Sequence, residues 1–322
     1  MSPVTVAIVG ATGETGRSIV DALLQSPTDF GITALSRPSS MEKPENQKLR
    51  EGGINVVAYD VHGPLEKLVD ILTGVDVVIS AVSYAGISDQ IPLARAAKEA
   101  GVKRFVPSAY APTTAPNGAV EMRDRDVFNY IKELHLPYTF IDVGWWYQGF
   151  IPRLPSGRTE YARFPNPFGD NPVMGDGNVI IALADLRDAG RYIARIIVDP
   201  RTLNKMVYAY TETMTANQIF DQAERNSEES VERQYVSETK LHAMIAEAQE
   251  VVKNKGASPV DILKLHMAQY QYSIGIKDQS SPEYADYLGY LSSKDLYPDF
   301  KAISFSDFMK DALDGKLRPL YS

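Results

Sequence analysis

The sequence predicts an α/β fold with a doubly wound parallel sheet, and two patterns support this. Short apolar runs recur through roughly the first 150 residues, with amphipathic segments between them. Continuous apolar runs of this length are typical of parallel strands that helices cover on both faces. From Pro152 the chain becomes rich in Pro and Gly, and from about 215 to 300 its patterns are mostly helical. We therefore expect a Rossmann-type sheet with a smaller, mostly helical C-terminal lobe.

The predicted strands, in chain order, are VTVAIV at 4–9, GITALS at 31–36, INVVAY at 54–59, VDVVIS at 75–80, KRFVPS at 103–108 and PYTFID at 137–142. The clearest helices between them are 14–26 and 87–101, the second closed by Gly101 as a C-cap. Segment 151–178 favours an irregular loop, after which a helix in 183–200 and a strand at 205–210 return to the sheet. The predicted domains are a sheet domain, 1–155 with returning segments at about 183–212, and a second lobe, 156–182 and 213–322.

Composition excludes several classes of function. The net charge is -8 with no block of Lys or Arg, so no surface is predicted that would bind nucleic acid or an anionic membrane. Cysteine is absent, which excludes disulfides and thiolate chemistry, and the four histidines have no metal-ligand spacing. There is no 18-residue apolar stretch, and the N-terminus leads directly into a strand. We expect a cytoplasmic protein without a metal.

The first strand ends in a glycine-rich turn that leads into a helix. Gly10, Gly13 and Gly16 form a G-x-x-G-x-x-G pattern there. Glycines allow the backbone to approach a pyrophosphate, and the helix N-terminus offers N–H donors. In this position the pattern predicts a dinucleotide site, whose expected contacts in the turn are Gly10, Thr12, Gly13, Glu14, Thr15 and Gly16.

The end of the second strand predicts which dinucleotide binds. A carboxylate at this position would bind the ribose 2′-hydroxyl of NAD, whereas this chain has Ser36 and Arg37, which suit the 2′-phosphate of NADP. NADPH is therefore the expected cofactor, with Lys43 as a second possible cation. The alternative is that Arg37 is an exposed charge at a strand end.

Ligands of such sheets bind at the carboxyl ends of the strands. The further expected cofactor contacts are Ser80, Ala81, Val82, Pro107 and Ser108. Aromatic residues Trp145, Trp146 and Tyr147 follow the sixth strand, where they would stack on a flat substrate or pack in the core. A Tyr-x-x-x-Lys pair is excluded, since Tyr110 is followed four residues later by Thr114 and Tyr147 by Ile151.

The chain resembles the NmrA-like, isoflavone-reductase-like family of atypical short-chain dehydrogenases, and its fungal branch in particular. The resemblance is carried, in order, by GATGETG, VDVVISAVS, ISDQIPLARAAKEAGVKRFVPSAY, LPYTFIDVGWW, GDGN, DPRTLNKMVY and LYPDFKAISFSDFM. It implies an NADPH-dependent reductase of aromatic natural products such as isoflavones, lignans and phenylcoumaran ethers. Other members of the family are regulators that bind the dinucleotide without turnover.

Two departures concern the chemistry. Plant reductases of this family tend to have Ser-Glu-Phe-Gly after the fifth strand, whereas this chain has Ser108, Ala109, Tyr110 and Ala111. Their catalytic lysine, early in the next helix, aligns with Asp124, with Arg123 and Arg125 on either side.

Helical geometry, at about 100° per residue, places Asp124 at the centre of an apolar stripe and turns Asp126 away. The stripe consists of Val120, Val127, Phe128 and Ile131. Asp124 and Tyr110 are thus the candidate catalytic residues. The alternatives are that Asp124 caps a backbone group or pairs with an arginine, and that Tyr110 packs against a helix.

The leading hypothesis is an NADPH-dependent reductase of an aromatic or conjugated small molecule of secondary metabolism, acting as a monomer or homodimer. Hydride would come from nicotinamide C4, and Asp124, Tyr110 or water would transfer the proton. One rival is a non-redox isomerase, dehydratase or cyclase that uses Asp124 as acid or base. The other is a non-catalytic regulatory protein that senses NADP(H).

Overall fold

The computed structural model describes residues 2–120, 126–164, 168–254 and 256–320. Its strands are β1 (Val4–Val9), β2 (Phe30–Ser36), β3 (Asn55–Ala58), β4 (Val77–Ser80), β5 (Arg104–Val106), β6 (Thr139–Val143), β7 (Trp145–Trp146), β8 (Pro172–Met174), β9 (Ile180–Ala184), β10 (Lys205–Ala209), β11 (Glu212–Thr215), β12 (Gln234–Val236) and β13 (Leu291–Ser292). Its α-helices are α1 (Glu14–Leu24), α2 (Pro44–Glu51), α3 (Leu65–Leu72), α4 (Gln90–Glu99), α5 (Asp126–Glu133), α6 (Leu186–Ile196), α7 (Ala216–Ser227), α8 (Glu238–Lys253), α9 (Pro259–Gly275), α10 (Pro282–Tyr287), α11 (Ser293–Leu296) and α12 (Phe305–Leu313).

The main sheet has the strand order β3-β2-β1-β4-β5, and its neighbouring strands are parallel. A parallel bridge between Phe105 and Tyr138 brings the chain at the start of β6 next to β5. The order reverses between β1 and β4, which is the switch point where doubly wound sheets bind ligands. All six predicted strands are present, and the predicted α/β class with a parallel Rossmann-type sheet is confirmed.

Local sequence explains the helices that cover this sheet. Helix α1 buries Ile19, Val20 and Leu23 on one face, as its apolar spacing predicts. Helix α4 ends next to Gly101, which has a φ of +74° and so takes the left-handed conformation predicted for a C-cap. The strands and helices share a buried apolar cluster that includes Leu35, Val78, Leu93, Phe105 and Ile131.

The chain divides into two compact units. Among the described residues, the first unit comprises 2–110, 126–142 and 187–207, and the second comprises 111–120, 143–164, 168–186, 208–254 and 256–320. The sequence patterns grouped 111–120 and 143–155 with the sheet domain, whereas the division by contacts assigns both segments to the second unit. The boundary between the units follows packing in space, so it need not coincide with the change in amino-acid composition at Pro152.

The second unit has its own small sheet, in which β9 pairs antiparallel with β11 and parallel with β7. Strand β9 was not predicted, because its apolar run continues into the helical pattern of α6. The region from 215 to 300 is mostly helical, as expected, with short strands at β12 and β13. Within the described ranges, no helix is both long and apolar enough to cross a membrane. No cluster of His, Cys, Asp and Glu that could hold a metal ion occurs in the same ranges.

Candidate cofactor and substrate site

Gly10 and Gly13 lie between β1 and α1, Gly16 lies in the first turn of α1, and the structural reason for glycine differs among the three positions. Gly10 has a φ of +81°, and a Cβ there would lie 2.3 Å from the carbonyl oxygen of Ala81. A Cβ on Gly16 would lie 2.0 Å from the carbonyl oxygen of Gly10. The chain's own packing therefore requires glycine at both positions.

Gly13 is the exception among the three. Its φ is -76°, and the nearest atom to an added Cβ is the Gly10 carbonyl oxygen, at an ordinary 3.5 Å. The chain itself could therefore accept a side chain at Gly13. The described packing therefore gives no reason for a glycine at this position.

The N-terminus of α1 is suited to an anion. Gly13 is its N-cap, and no side chain of the described residues caps it. The N–H groups of a first helical turn have no acceptors within the helix, and the helix dipole adds positive potential there. The turn is fixed from both sides, because Gly13 N–H donates to Gly10 O at 3.0 Å and Arg17 Nε donates to Thr12 O at 2.8 Å. A phosphate group would meet fixed donors at this point.

Ser36 and Arg37 lie at the carboxyl end of β2, next to the glycine turn's strand in the sheet. Ser36 is half-buried and Arg37 is exposed. Burial raises the pKa of the nearby Tyr59 hydroxyl, Asp89 raises that pKa further, and the positive charge of Arg37 opposes both. The positive charge of Arg37 thus influences the pKa of a tyrosine that follows β3, and its binding of a 2′-phosphate stays a prediction.

The ends of β4 and β5 supply the remaining expected cofactor contacts. Ala81 N–H donates to Val9 O at 2.8 Å, and Ser108 Oγ donates to Val82 O at 2.9 Å. Pro107, which precedes Ser108, is buried. Ser80 is fully buried, and its hydroxyl has no hydrogen-bond partner in the described part of the chain.

Sequence reasoning missed Gln90, the first residue of α4. Its side chain is 1% exposed, and its Oε1 accepts from Ser108 N–H at 2.6 Å. Its Nε2 donates to Ile87 O at 3.2 Å. Gln90 therefore fixes the loop that follows β5. A single glutamine inside a helical pattern carries no signal that would have identified it.

Tyr110 lies just after β5, in the first unit. The residue is 6% exposed, and its hydroxyl has no partner among the residues that the structure describes. Burial raises the pKa of this hydroxyl far above its usual value, so the group keeps its proton at any working pH. Tyr110 is thus a buried O–H donor for which the described residues offer no acceptor.

Asp124 lies outside the described residues, together with Arg123 and Arg125. The described part of α5 begins at Asp126, which is exposed, while Val127, Phe128 and Ile131 are buried. That pattern agrees with the expected inward and outward faces of the helix. Val120 is buried but not helical, so it does not serve as a reference for the stripe. The inward orientation of Asp124 stays a prediction.

Tyr147, in the second unit, is a core residue. It is fully buried between Phe305 and Phe308, with ring centroids 5.2 Å away in each case. Its hydroxyl donates to Glu212 Oε1 at 2.7 Å and lies 3.1 Å from Ile303 O. These contacts fit the alternative that Tyr147 packs in the core, and its contact with a substrate stays a prediction.

Trp145 and Trp146 are only half-buried. The Trp145 ring lies 5.4 Å from that of Tyr270, and the Trp146 ring 5.7 Å from that of Phe164. The Trp146 indole N–H has no acceptor in the described part of the chain. The second unit also contains a mostly apolar pocket, which sequence reasoning missed, lined by Phe150, Met174, Val179, Ile181, Ala216 and Gln271.

Comparison with known proteins finds relatives that are similar to this chain over nearly its whole length. Asnovolin J 5′,6′-dehydrogenase nvfM of Aspergillus novofumigatus is 47% identical over 317 residues, which are 97% of this chain and 96% of that protein. Phenylcoumaran benzylic ether reductase Betv6 of Betula pendula is 31% identical, over 95% of this chain and 97% of that protein. The solved structure of AtPrR2 with NADP+ and (+)pinoresinol is 26% identical with a TM-score of 0.78, and it covers 96% of this chain and 99% of AtPrR2.

The family itself is shown by the match of the NmrA-like family to residues 3–277. The expected resemblance is thereby confirmed, and with it the similarity to isoflavone-reductase-like proteins. The glycine turn, the carboxyl end of β2 and the end of β5 all lie within the matched segment. The chain belongs to the NmrA-like family.

Proposed function

We propose that this protein is an NADPH-dependent reductase of an aromatic or conjugated small molecule of secondary metabolism. The observation that carries the proposal is the turn at 10–16. Two of its glycines are required by the chain's own packing, and the third, Gly13, is explained by a ligand at the uncapped N-terminus of α1. A dinucleotide pyrophosphate is the ligand that suits this place in a doubly wound sheet.

The enzyme class and the cofactor have further support. One of the relatives described above is named a dehydrogenase and another a reductase, and AtPrR2 was solved with NADP+. The prediction of an oxidoreductase that uses NADP(H) is thereby confirmed. The substrate and the route of the proton remain proposals.

The residues present fit this cofactor. The turn from Gly10 to Gly16 would hold the pyrophosphate, Ser36 and Arg37 the 2′-phosphate, and the segments 80–82 and 107–108 the remaining half of the dinucleotide. When bound, NADPH supplies hydride from nicotinamide C4. The buried hydroxyl of Ser80 would gain a partner, which removes the cost of leaving it without one.

The reduced product also needs a proton. Tyr110 keeps its O–H at working pH and has no acceptor among the described residues, so it suits a donor to a substrate oxygen. Asp124, which the family resemblance aligns with the catalytic lysine of plant reductases, is the second candidate, with water as the third. Trp145 and Trp146 are the proposed aromatic contacts, because their rings are only partly covered.

The test compares Asp124→Asn with Asp126→Asn, which makes the same change at an exposed neighbour. If the Asp124 carboxyl transfers the proton, Asp124→Asn lowers kcat by about 100-fold or more and leaves the Kd for NADPH within about 2-fold of the wild-type value. Asp126→Asn should change neither quantity. The reductase proposal itself fails if NADPH binds tightly and no member of a broad panel of conjugated and aromatic substrates causes its oxidation.

A second candidate function is favoured by the aspartate at the lysine position. A non-redox isomerase, dehydratase or cyclase could use Asp124 as acid or base on the same scaffold. Mass spectrometry distinguishes the two reactions. The reductase product is heavier than its substrate by two hydrogens, whereas the other products have the substrate's mass or differ by one water.

A further inference from the structure

We propose that Asn46 is a positioning residue that makes the end of β2 selective for the 2′-phosphate of NADP(H). The inference rests on the proposed NADPH site and concerns how that site rejects NADH. Asn46 lies in the first turn of α2, outside the glycine turn and the strand ends. It is 3% exposed, which is unusual for a side chain with a polar amide.

The Asn46 amide joins two points of the chain around Arg37. Its Nδ2 donates to Ser36 Oγ and to Ser40 O, each at 2.7 Å. The first acceptor is the last residue of β2, and the second closes the 3₁₀ turn Pro38–Ser40. Arg37 lies between these two residues in the chain, so the amide fixes the Ser36 side chain before it and the Ser40 backbone after it.

The hydrogen bond to Ser36 also determines the direction of the Ser36 hydroxyl. A serine hydroxyl has one hydrogen and two lone pairs. Because a lone pair of Ser36 Oγ accepts from Asn46, the hydroxyl hydrogen stays available to donate outward. No described residue accepts from it, and Ser36 is half-buried. The end of β2 therefore presents an O–H donor beside the cation of Arg37, a pair that suits a phosphate oxygen.

The rest of the loop is fixed in the same way. Ser40 N–H donates to Arg37 O at 2.8 Å, and Lys43 N–H donates to Ser40 O at 3.1 Å. Arg50 Nη2 donates to Met41 O at 3.0 Å. The exposed cations Arg37 and Lys43 are thus held on an ordered loop, which lowers the entropy lost when an anion binds.

An aspartate at position 46 would reverse this arrangement. The carboxylate oxygen would accept from the Ser36 hydroxyl and turn its hydrogen inward, and it would repel Ser40 O. The side chain's shape would stay nearly the same. The single change Asn46→Asp therefore removes the donor from the 2′-phosphate position with little change in packing.

The experiment measures by calorimetry the Kd values of NADPH, NADH, 2′,5′-ADP and 5′-AMP for the full chain. Asn46→Asp should raise the Kd values of NADPH and 2′,5′-ADP by about 10- to 100-fold, which is the effect of losing one or two charge-assisted hydrogen bonds. The Kd values of NADH and 5′-AMP should stay within about 3-fold of the wild-type values. Gln47→Glu introduces the same charge at the exposed neighbouring residue and controls for simple repulsion. It should change the Kd of NADPH by less than about 3-fold.

Asn46→Ser, which removes the amide without adding charge, replaces Asn46→Asp if thermal unfolding shows that the aspartate variant does not fold. It should also lower the preference for NADPH over NADH. In a Ser36→Ala background, Asn46→Asp should have a smaller effect than in the wild type, because the hydroxyl through which Asn46 acts is absent.

The inference is overturned if folded Asn46→Asp keeps the wild-type ratio of NADPH to NADH affinity, or if Gln47→Glu lowers that ratio as much. A different outcome would count against the proposed function: a wild-type chain that binds neither NADPH nor 2′,5′-ADP.

Discussion

The two ends of the parallel sheet in the first unit differ in how completely their polar groups are paired. At the amino end, the Asp76 carboxylate accepts from Thr5 N–H and Thr5 Oγ1, each at 2.9 Å, and from Lys103 Nζ at 2.7 Å. The buried guanidinium of Arg104 donates to the hydroxyls of Thr139 and Thr202 and to the carbonyls of Ile196 and Asp199. These bonds join β1, β4, β5, β6 and the end of α6.

At the carboxyl end, two buried hydroxyls have no partner among the described residues. They belong to Ser80, at the end of β4, and to Tyr110, just after β5. A buried polar group without a partner is costly, and proteins keep such groups where a ligand completes them. The paired groups at the amino end stabilise the fold, whereas the carboxyl end carries the unpaired hydroxyls and is the end where we propose that ligands bind.

The largest effect is expected from Arg104→Met at the amino end. The change removes a buried cation and leaves the acceptors of its four hydrogen bonds without their donor, so the free energy of unfolding should fall by about 3–5 kcal/mol. Chemical denaturation measures this. Arg95→Met, at an exposed arginine paired with Glu99, is the matched control and should cost less than about 1 kcal/mol. The folded fraction of Arg104→Met should bind NADPH with the wild-type Kd. A variant that keeps its stability but binds NADPH more weakly would contradict a purely stabilising role for the amino end of the sheet.

Asp76→Asn should show a smaller effect that depends on pH. The hydrogen bond from Lys103 and those from Thr5 lower the pKa of Asp76 below its ordinary 3.8. The charged Asp76 side chain therefore stabilises the fold fully at pH values above the ordinary pKa of 3.8, and this stabilisation is lost as the pH falls through the lowered pKa. We expect a wild-type advantage of about 1–2 kcal/mol at pH 7 that shrinks below about pH 4. An advantage that stays constant down to pH 2 would contradict this explanation.

Removal of the unpartnered hydroxyls at the carboxyl end should have the smallest effect on stability. Ser80→Ala and Tyr110→Phe lose no hydrogen bond within the described chain, so the free energy of unfolding should change by less than about 0.5 kcal/mol or rise. Tyr208→Phe is the matched control, because its buried hydroxyl donates to Ser280 O at 2.8 Å, and it should cost about 1 kcal/mol.

Although Ser80→Ala and Tyr110→Phe should hardly change stability, both should impair cofactor binding or turnover. Ser80→Ala should raise the Kd of NADPH, and Tyr110→Phe should lower kcat, each by about 10-fold. If Tyr110→Phe destabilises the fold as much as Tyr208→Phe and leaves kcat unchanged, Tyr110 is a core residue and not part of a site.

Features with a local cause could be predicted from the sequence. The six strands follow from continuous apolar runs, and Gly10 and Gly101 follow from backbone conformations that favour glycine. Asn46 and Gln90 could not be found in this way, because their roles depend on contacts with residues 10 and 18 positions away in the chain. The burial of Tyr147 depends on α12, more than 150 residues later, so its position after a strand could not separate core from site.

The proposed cofactor site is tested most directly at Gly13, the one glycine of the turn that the chain's own packing does not require. Gly13→Ala, titrated with NADPH and NADH beside the wild type, tests the central claim that this end of the sheet binds NADPH. We expect the wild type to prefer NADPH over NADH, and Gly13→Ala to bind NADPH at least about 10-fold more weakly while losing no more than about 1 kcal/mol of unfolding free energy. A folded Gly13→Ala that binds NADPH as tightly as the wild type would contradict the account, as would a wild type that binds both dinucleotides equally.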